Sequence, residues 1–307
     1  MHTQISTIHR TGSLTVAQLG TPGRDVVEYA GLGKALDKKF IQVKEVDNAG
    51  SVNTIIVLNT SDQFVFLMDG DILAGAKQNR VVNTSMLLAP QSKTLVPVSC
   101  VEAGRWKHTS STFGGTAYSA PATLRNDKAR HVRQSLEEKR GFASNQGEIW
   151  GRVSEFEKVH QMSSATSNLS DIFDGKKSEF DEFIRGFAPD PKANGLAVFF
   201  GKSLASVDIF HRTDVYLEYF PKLLRGAAFE SGTDTGANNL LEEAEVRYRV
   251  LELLDKFEEQ EFTERPSVGV GTDRRFETPA LAGFEIVYGG HVIHRAAFRS
   301  LHRTTKG

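Results

Sequence analysis

Lys77, Gln78, Asn79 and Arg80 follow one another in GAKQNR, so that four hydrogen-bonding side chains and two positive charges meet in one short stretch. Such a set suits phosphate or carboxylate oxygens, with arginine as a two-pronged donor and lysine as a point charge. The same residues would serve a charged, exposed strand edge that resists aggregation. Strand alternation would send Lys77 and Asn79 one way and Gln78 and Arg80 the other, leaving one pair for any single pocket. Further on, KTLVPVSCVEAGRW carries the chain's one cysteine and one of its two tryptophans. A period of two places Val96, Val98, Cys100 and Glu102 on one face. A carboxylate beside a thiol raises the thiol's pKa, so Cys100 reads as a small buried hydrophobe rather than a nucleophile. Glu102 could accept Arg105 in a structural ion pair, or act as a base or ligand carboxylate. Trp106 offers a ring on which a ligand could stack.

Near the end, HVIHRAAF holds His291 and His294, which on a strand face opposite sides. His294, inside an apolar strand, is either a satisfied core histidine or an acid–base partner for Glu102. Asp208 and His211 in SVDIFHR read equally well as strand-end residues. One cysteine and no His-Glu-x-x-His helix leave no recognisable metal set, so neither metal nor cofactor is expected. Phosphate-loop, dinucleotide-fold, nucleophile-elbow and kinase signatures are missing from the sequence. GVGTDRR reads as a turn into the last hairpin.

The elements that must position these residues are mixed. GSLTVAQLG and FIQVKEV alternate as strands around a short helix in DVVEYAGLGKALDKK. Hairpins are predicted to dominate residues 53–106. FVFLMDGDILAGAKQNR, LAVFFGKSLASVDIFHR and FEIVYGGHVIHRAAFR each run apolar strand, glycine turn, strand, basic end, as ordinary hairpins or a structural repeat. Gly70, Gly201 and Gly290 hold their turns. Between the first two units a helical insertion is predicted over 124–187, with stripes of Leu124, Val132 and Leu136; Trp150, Val153 and Phe156; and Phe180, Phe183, Ile184 and Phe187. A helix in TDVYLEYFPKLLRGAAFES is kinked or restarted near Pro221. The longest pattern, NNLLEEAEVRYRVLELLDKFEEQEF, spaces Leu241, Ala244, Tyr248, Leu251 and Leu254 for burial. Residues 107–123 lack periodicity and read as a connecting loop or a lid. The sum is one α+β domain over 1–307, a hairpin-rich antiparallel or mixed sheet packed with helices.

At 39% apolar and 24% charged residues, the chain has the balance of a folded, soluble protein. A net charge of −1 gives no field for DNA, RNA or an anionic membrane. With no secretory signal pattern and no apolar run long enough to span a bilayer, a cytoplasmic protein is expected.

DGDILAGAKQNRVVNTSMLLAPQSKTLVPVSCVEAGRW, with VDIFHR and VIHRAAF, resembles the ADP-ribosylglycohydrolase and rhodanese-phosphatase-superfamily associated protein domain, a bacterial family. The resemblance is densest over 64–106 and thins over the rest. Its motif covers Gly75, Lys77, Gln78, Asn79, Arg80, Cys100, Glu102, Arg105, Trp106 and His294. The family name implies a context of ADP-ribose metabolism, with no settled activity and no residue role to carry over. Joined to the residue types, it suggests a protein that binds, or binds and processes, a nucleotide-derived or ADP-ribose-like small molecule containing phosphate. In that reading Lys77, Gln78, Asn79, Arg80, Arg105 and Trp106 contact the ligand, while Glu102 and His294 handle protons. The alternative is a non-enzymatic assembly protein whose strand edges make homo-oligomer or partner contacts.

Overall fold

Period-two apolar segments and glycine turns become strands that sort into three sheets. The computed structural model describes residues 3–21, 25–47, 50–231 and 240–299. In chain order come β1 (Gln4–Thr11), β2 (Leu14–Gly20), β3 (Tyr29–Gly31), α1 (Leu32–Asp37), β4 (Ile41–Glu45), β5 (Thr54–Asn59) and β6 (Phe64–Leu67). Next are β7 (Asp71–Gly75), β8 (Arg80–Val82), β9 (Met86–Leu88), β10 (Ser92–Cys100) and β11 (Phe113–Ser119). Helices α2 (Ala122–Glu137), α3 (Gln146–Val159), α4 (Leu169–Gly175) and α5 (Lys177–Ile184) follow. The rest is β12 (Gly195–Phe200), β13 (Ser203–Phe210), α6 (Thr213–Ser231), α7 (Glu243–Glu258), β14 (Thr263–Pro266), β15 (Thr272–Glu277), β16 (Leu281–Tyr288) and β17 (His291–Arg299).

This α+β chain has an eight-stranded sheet ordered β1-β2-β12-β13-β17-β16-β15-β14, a six-stranded sheet ordered β11-β7-β8-β10-β5-β4, and a three-stranded sheet ordered β3-β6-β9. Among the described residues only β3 and β6 pair in parallel. The large sheet is covered on both faces. Leu14, Val16, Leu196 and Val198 face a core shared with α6 and the three-stranded sheet. Their neighbours Ala17, Leu19, Ala197 and Phe199 face α7. Burying each large aliphatic or aromatic side chain stabilises by about 1.5–3 kcal/mol. Helices α3, α4 and α5 close over Ile72 and Val81 of the six-stranded sheet in a third core, so the helical insertion shares its interior with strands.

Two of the three glycine-turned units are hairpins and neighbours, since β13 pairs with β17. In the last, Gly289 and Gly290 both adopt positive φ, the form that a two-residue turn between twisted strands requires. The first unit is not a hairpin: β6 bonds to β3 and β9, whereas β7 bonds to β8 and β11. Gly70, at φ +85, steers the chain from one sheet to the next, and a Cβ there would stand 2.9 Å from the Arg125 side chain. Within 53–106 the consecutive strands β7 and β8 do form a hairpin, but β5 pairs with β10 and β6 with β9 across longer stretches, so the expectation holds only in part.

Two further expectations change, and that for Pro221 loses one of its two alternatives. Residues 107–123 contain β11, so the loop is confined to 107–112. Helix α6 runs through Pro221 without restarting. On α7 the buried residues are Val246, Val250, Leu253, Leu254 and Phe257, while Ala244, Tyr248 and Leu251 face outward. Two apolar stripes compete on that helix, and the β-branched one meets the sheet.

Candidate functional site

β7 ends at Gly75, a short turn carries Ala76 to Asn79, and β8 resumes at Arg80. Lys77, Gln78, Asn79 and Arg80 are only 8, 4, 6 and 0% exposed, so they form neither an exposed edge nor an alternating strand. Arg105 buckles this turn to the next loop. Its Nη1 donates to the Ala76 carbonyl at 2.7 Å and the Lys107 carbonyl at 2.9 Å, and its Nη2 to Asn79 Oδ1 at 3.3 Å. The Asn79 Oδ1 also accepts from the Gly75 N–H at 2.9 Å, fixing the turn from inside.

Glu102 lies just past the end of β10, bridged to Asn168 and buried. Its carboxylate accepts from Arg105 Nε at 2.8 Å, Arg105 Nη2 at 2.6 Å, the Asn79 N–H at 3.1 Å and the Thr166 hydroxyl at 2.9 Å. Burial pushes its pKa up, but the bonds from Arg105, Asn79 and Thr166 outweigh this and hold it below the ordinary carboxylate value. A saturated, low-pKa carboxylate is a poor base and a good structural clasp. Arg80 is equally committed: it donates to Gln78 Oε1 at 2.9 Å, Cys100 Sγ at 2.7 Å and the Ser51 carbonyl at 3.2 Å, and stands 3.6 Å from Glu45. Burial lifts the Cys100 thiol to about 11 despite the nearby Arg80 charge, which fits the inert reading. Trp106 is half-exposed, with Lys77 Nζ 5.3 Å and Arg80 Cζ 5.5 Å from its ring centroid, so the chain's own cations already contact its face.

His294 belongs to a different network. It is fully buried among Phe66, Phe210 and Phe284, with Nδ1 2.9 Å from the Ser85 hydroxyl and Nε2 3.3 Å from Asp208, the latter poorly aligned for hydrogen bonding. Arg125 forks between Asp69 (3.0 and 2.8 Å) and Asp208 (3.0 and 2.6 Å). Burial would raise the Asp208 carboxyl, but Arg125 and His294 bring it down to about 2. Serine, histidine and aspartate thus meet, yet all are sealed from solvent and the aspartate is spent on arginine. Glu102 and His294 share no hydrogen-bond partner among the described residues.

What the buckle does position is a cavity. Asn79 Nδ2 donates at 3.1 Å to both Asn168 Oδ1 and the Ser170 hydroxyl, and these three residues line a hollow of about 320 Å³ between β7, β11, α4, α5 and α6. Asn168 caps α4, accepting from the Ser170 N–H at 3.1 Å and donating to Asp171 at 2.8 Å. Tyr118 and Phe173, stacked at 4.1 Å, make an apolar wall. Asp171, Asp174, Lys177 and Arg225 supply charge. Partial burial and the neighbouring Asp171 raise the Asp174 carboxyl, against a smaller pull from Lys177. No hydrogen-bond donor reaches the Asp174 carboxylate among the described residues. Arg225 is held by Asp181 at 2.8 Å, whereas the Lys177 ammonium is exposed.

Of the residues expected from sequence, Asn79 alone lines this cavity. Glu102 and Arg105 hold Asn79 by hydrogen bonds, Lys77, Gln78 and Arg80 lie outside the lining, Trp106 lies on the loop beyond, and His294 is elsewhere. Asp171, Asp174, Lys177 and Arg225 escaped sequence reading; the Asn-x-x-Asp spacing of a capped helix start at Asn168 was the available signal. No group of histidine, cysteine and carboxylate residues suited to a metal occurs among the described residues. Nor, among them, is any helix long and apolar enough to cross a membrane.

The family model described as the ARG and Rhodanese-Phosphatase-superfamily-associated Protein domain matches residues 2–298. No curated protein and no solved structure matches the chain.

Proposed function

Because the chain belongs to the ARG and Rhodanese-Phosphatase-superfamily-associated Protein domain family, we propose that it is a cytoplasmic protein of ADP-ribose metabolism that binds a phosphoribosyl-bearing small molecule in the cavity beside Asn79. The observation that carries this reading is the lining itself: two carboxylates and a free ammonium around a polar floor and an aromatic wall. Carboxylates accept from vicinal ribose hydroxyls, an ammonium attracts phosphate, and about 320 Å³ falls at the small end of ligand pockets. Asp174, with its raised pKa and free oxygens, is the group suited to exchange a proton with a bound hydroxyl. Lys77 and Arg80, the phosphate ligands expected from the sequence, do not line this cavity.

The test is thermal unfolding of the purified protein with ADP-ribose, ribose 5-phosphate, NAD, mononucleotides and inorganic phosphate, repeated with Lys177→Ala. A ligand that binds only the folded state raises its apparent stability. A shift with the phosphoribosyl compounds that Lys177→Ala abolishes is expected. No shift with any of them, or one that the variant retains, would overturn the proposal.

A further inference from the structure

The connection between α2 and α3 brings a serine, a histidine and a glutamate into one hydrogen-bonded line. His131, on α2 and with its side chain 14% exposed, sets Nε2 3.0 Å from Glu148 Oε2 in the first turn of α3, and Nδ1 3.1 Å from the hydroxyl of half-buried Ser144. A carboxylate only accepts, so in the neutral ring this network puts the proton on Nε2; Nδ1 is then the acceptor, and the Ser144 hydroxyl is the donor aimed at it. Glu148 is fixed in turn, since Asn145 Nδ2 donates to its Oε1 at 2.6 Å while Asn145 Oδ1 accepts from the Glu148 N–H at 3.4 Å. Nucleophile, base and orienting carboxylate thus stand in sequence, and none of them lines the cavity beside Asn79. The backbone adds donors. Gln146 and Gly147, two and three residues after Ser144, open the fourteen-residue α3, and their N–H groups have no acceptor among the described residues. Such N–H groups, at the positive end of a helix, are of the kind that stabilise an oxyanion.

We propose that Ser144 is the nucleophile of a second site, an esterase centre for small acyl esters. The Ser144 oxygen attacks the ester carbonyl carbon as its proton passes to His131 Nδ1. The bond from that carbon to the alcohol oxygen then breaks, and the departing oxygen takes the proton from His131. Water attacks the resulting acyl-serine, gives one proton to His131, and Ser144 leaves with that proton, so that ester and water become acid and alcohol with the enzyme restored. Glu148 holds the Nε2–H and so keeps Nδ1 free to accept; it is a positioning residue. The site suits an acetyl-sized group rather than a long acyl chain: Phe142, the one ring in the 138–145 loop, is engaged by Arg275 with Cζ 5.7 Å from its centroid, and the groups bonded around Ser144 are polar.

The test treats the full chain with a short-chain alkyl fluorophosphonate, which an activated serine attacks with loss of fluoride, and maps the adduct by peptide mass spectrometry. A single adduct on Ser144 is expected, absent from Ser144→Ala and formed about a hundredfold more slowly in His131→Asn, each variant keeping its circular dichroism spectrum. p-Nitrophenyl acetate should acetylate the same hydroxyl in wild type and leave Ser144→Ala unmodified there. Because Glu148 acts through His131, Glu148→Ala should slow labelling about tenfold or more and lose the Nε2–H tautomer that imidazole nitrogen chemical shifts report in wild type. A wild type that neither reagent modifies would overturn the proposal. So would an adduct confined to another serine, or His131→Asn labelled at the wild-type rate.

Discussion

Lys128 offers a sharp test of how the interior is balanced. It is fully buried on α2, and its ammonium donates to the Val82 carbonyl, which also accepts from the Gly70 N–H at 3.0 Å. Burial drives its pKa from 10.5 down to about 7, with Asp69 and Asp71 pulling upward and Arg125 pushing further down. Between those two values the unfolded chain holds a proton that the folded chain releases, so stability must climb with pH. The climb is at most about 1.4 kcal/mol per unit, and about 2 kcal/mol from about pH 7 to 9. At about pH 7 the full penalty is about 4 kcal/mol. Lys128→Met removes it and forfeits one hydrogen bond of about 1 kcal/mol, and Val82 keeps its other donor. The variant should therefore gain about 3 kcal/mol near neutrality and lose the rising slope, measured by urea unfolding at several pH values. This window ends before the Cys100 thiol, raised to about 11, begins to oppose the trend. A variant less stable than wild type, or one with the same slope, would show that the aspartates keep the ammonium charged.

Other outcomes follow from the same contacts. Arg125→Met leaves Asp69 and Asp208 buried without a counter-charge and should cost about 3–5 kcal/mol in denaturant midpoint measurements. Glu102→Gln weakens the clasp on Arg105 and the Asn79 turn; a loss of about 2 kcal/mol is expected, read by urea unfolding. Cys100 should resist maleimide in the folded protein across neutral pH and react completely in denaturant, as timed thiol labelling would show. Asp174→Asn should leave the melting temperature of the free protein within about 2 °C of wild type, because the residue is exposed and accepts no hydrogen bond among the described residues.

The hairpins β12–β13 and β16–β17 were legible because a glycine turn joins strands that pair with each other. The β6–β7 unit has the same local signature, but its two strands do not pair with each other: β6 bonds to β3 and β9 and β7 to β8 and β11, which the local pattern does not reveal. Helix α7 was legible as a helix and misleading as a face, since Val246 and Val250 compete with Tyr248 and Leu251. Residues 75–106 were rightly singled out as a place where polar groups gather. What the run could not disclose is burial: Arg80, Glu102 and Arg105 look like ligand-binding groups until their partners are counted. The cavity stayed hidden because its lining comes from five separate elements, and only Asn79 belongs to the conspicuous stretch.

The proposal that the cavity beside Asn79 holds a phosphoribosyl ligand is tested most directly by calorimetric titration of ADP-ribose and ribose 5-phosphate into wild type, Lys177→Ala and Asp174→Asn. Saturable binding at a single site in wild type, weakened at least tenfold in both variants while each stays folded, is the predicted result, equivalent to about 1.4 kcal/mol or more per residue. Binding that both variants retain unchanged, or no heat in wild type at millimolar ligand, would contradict it.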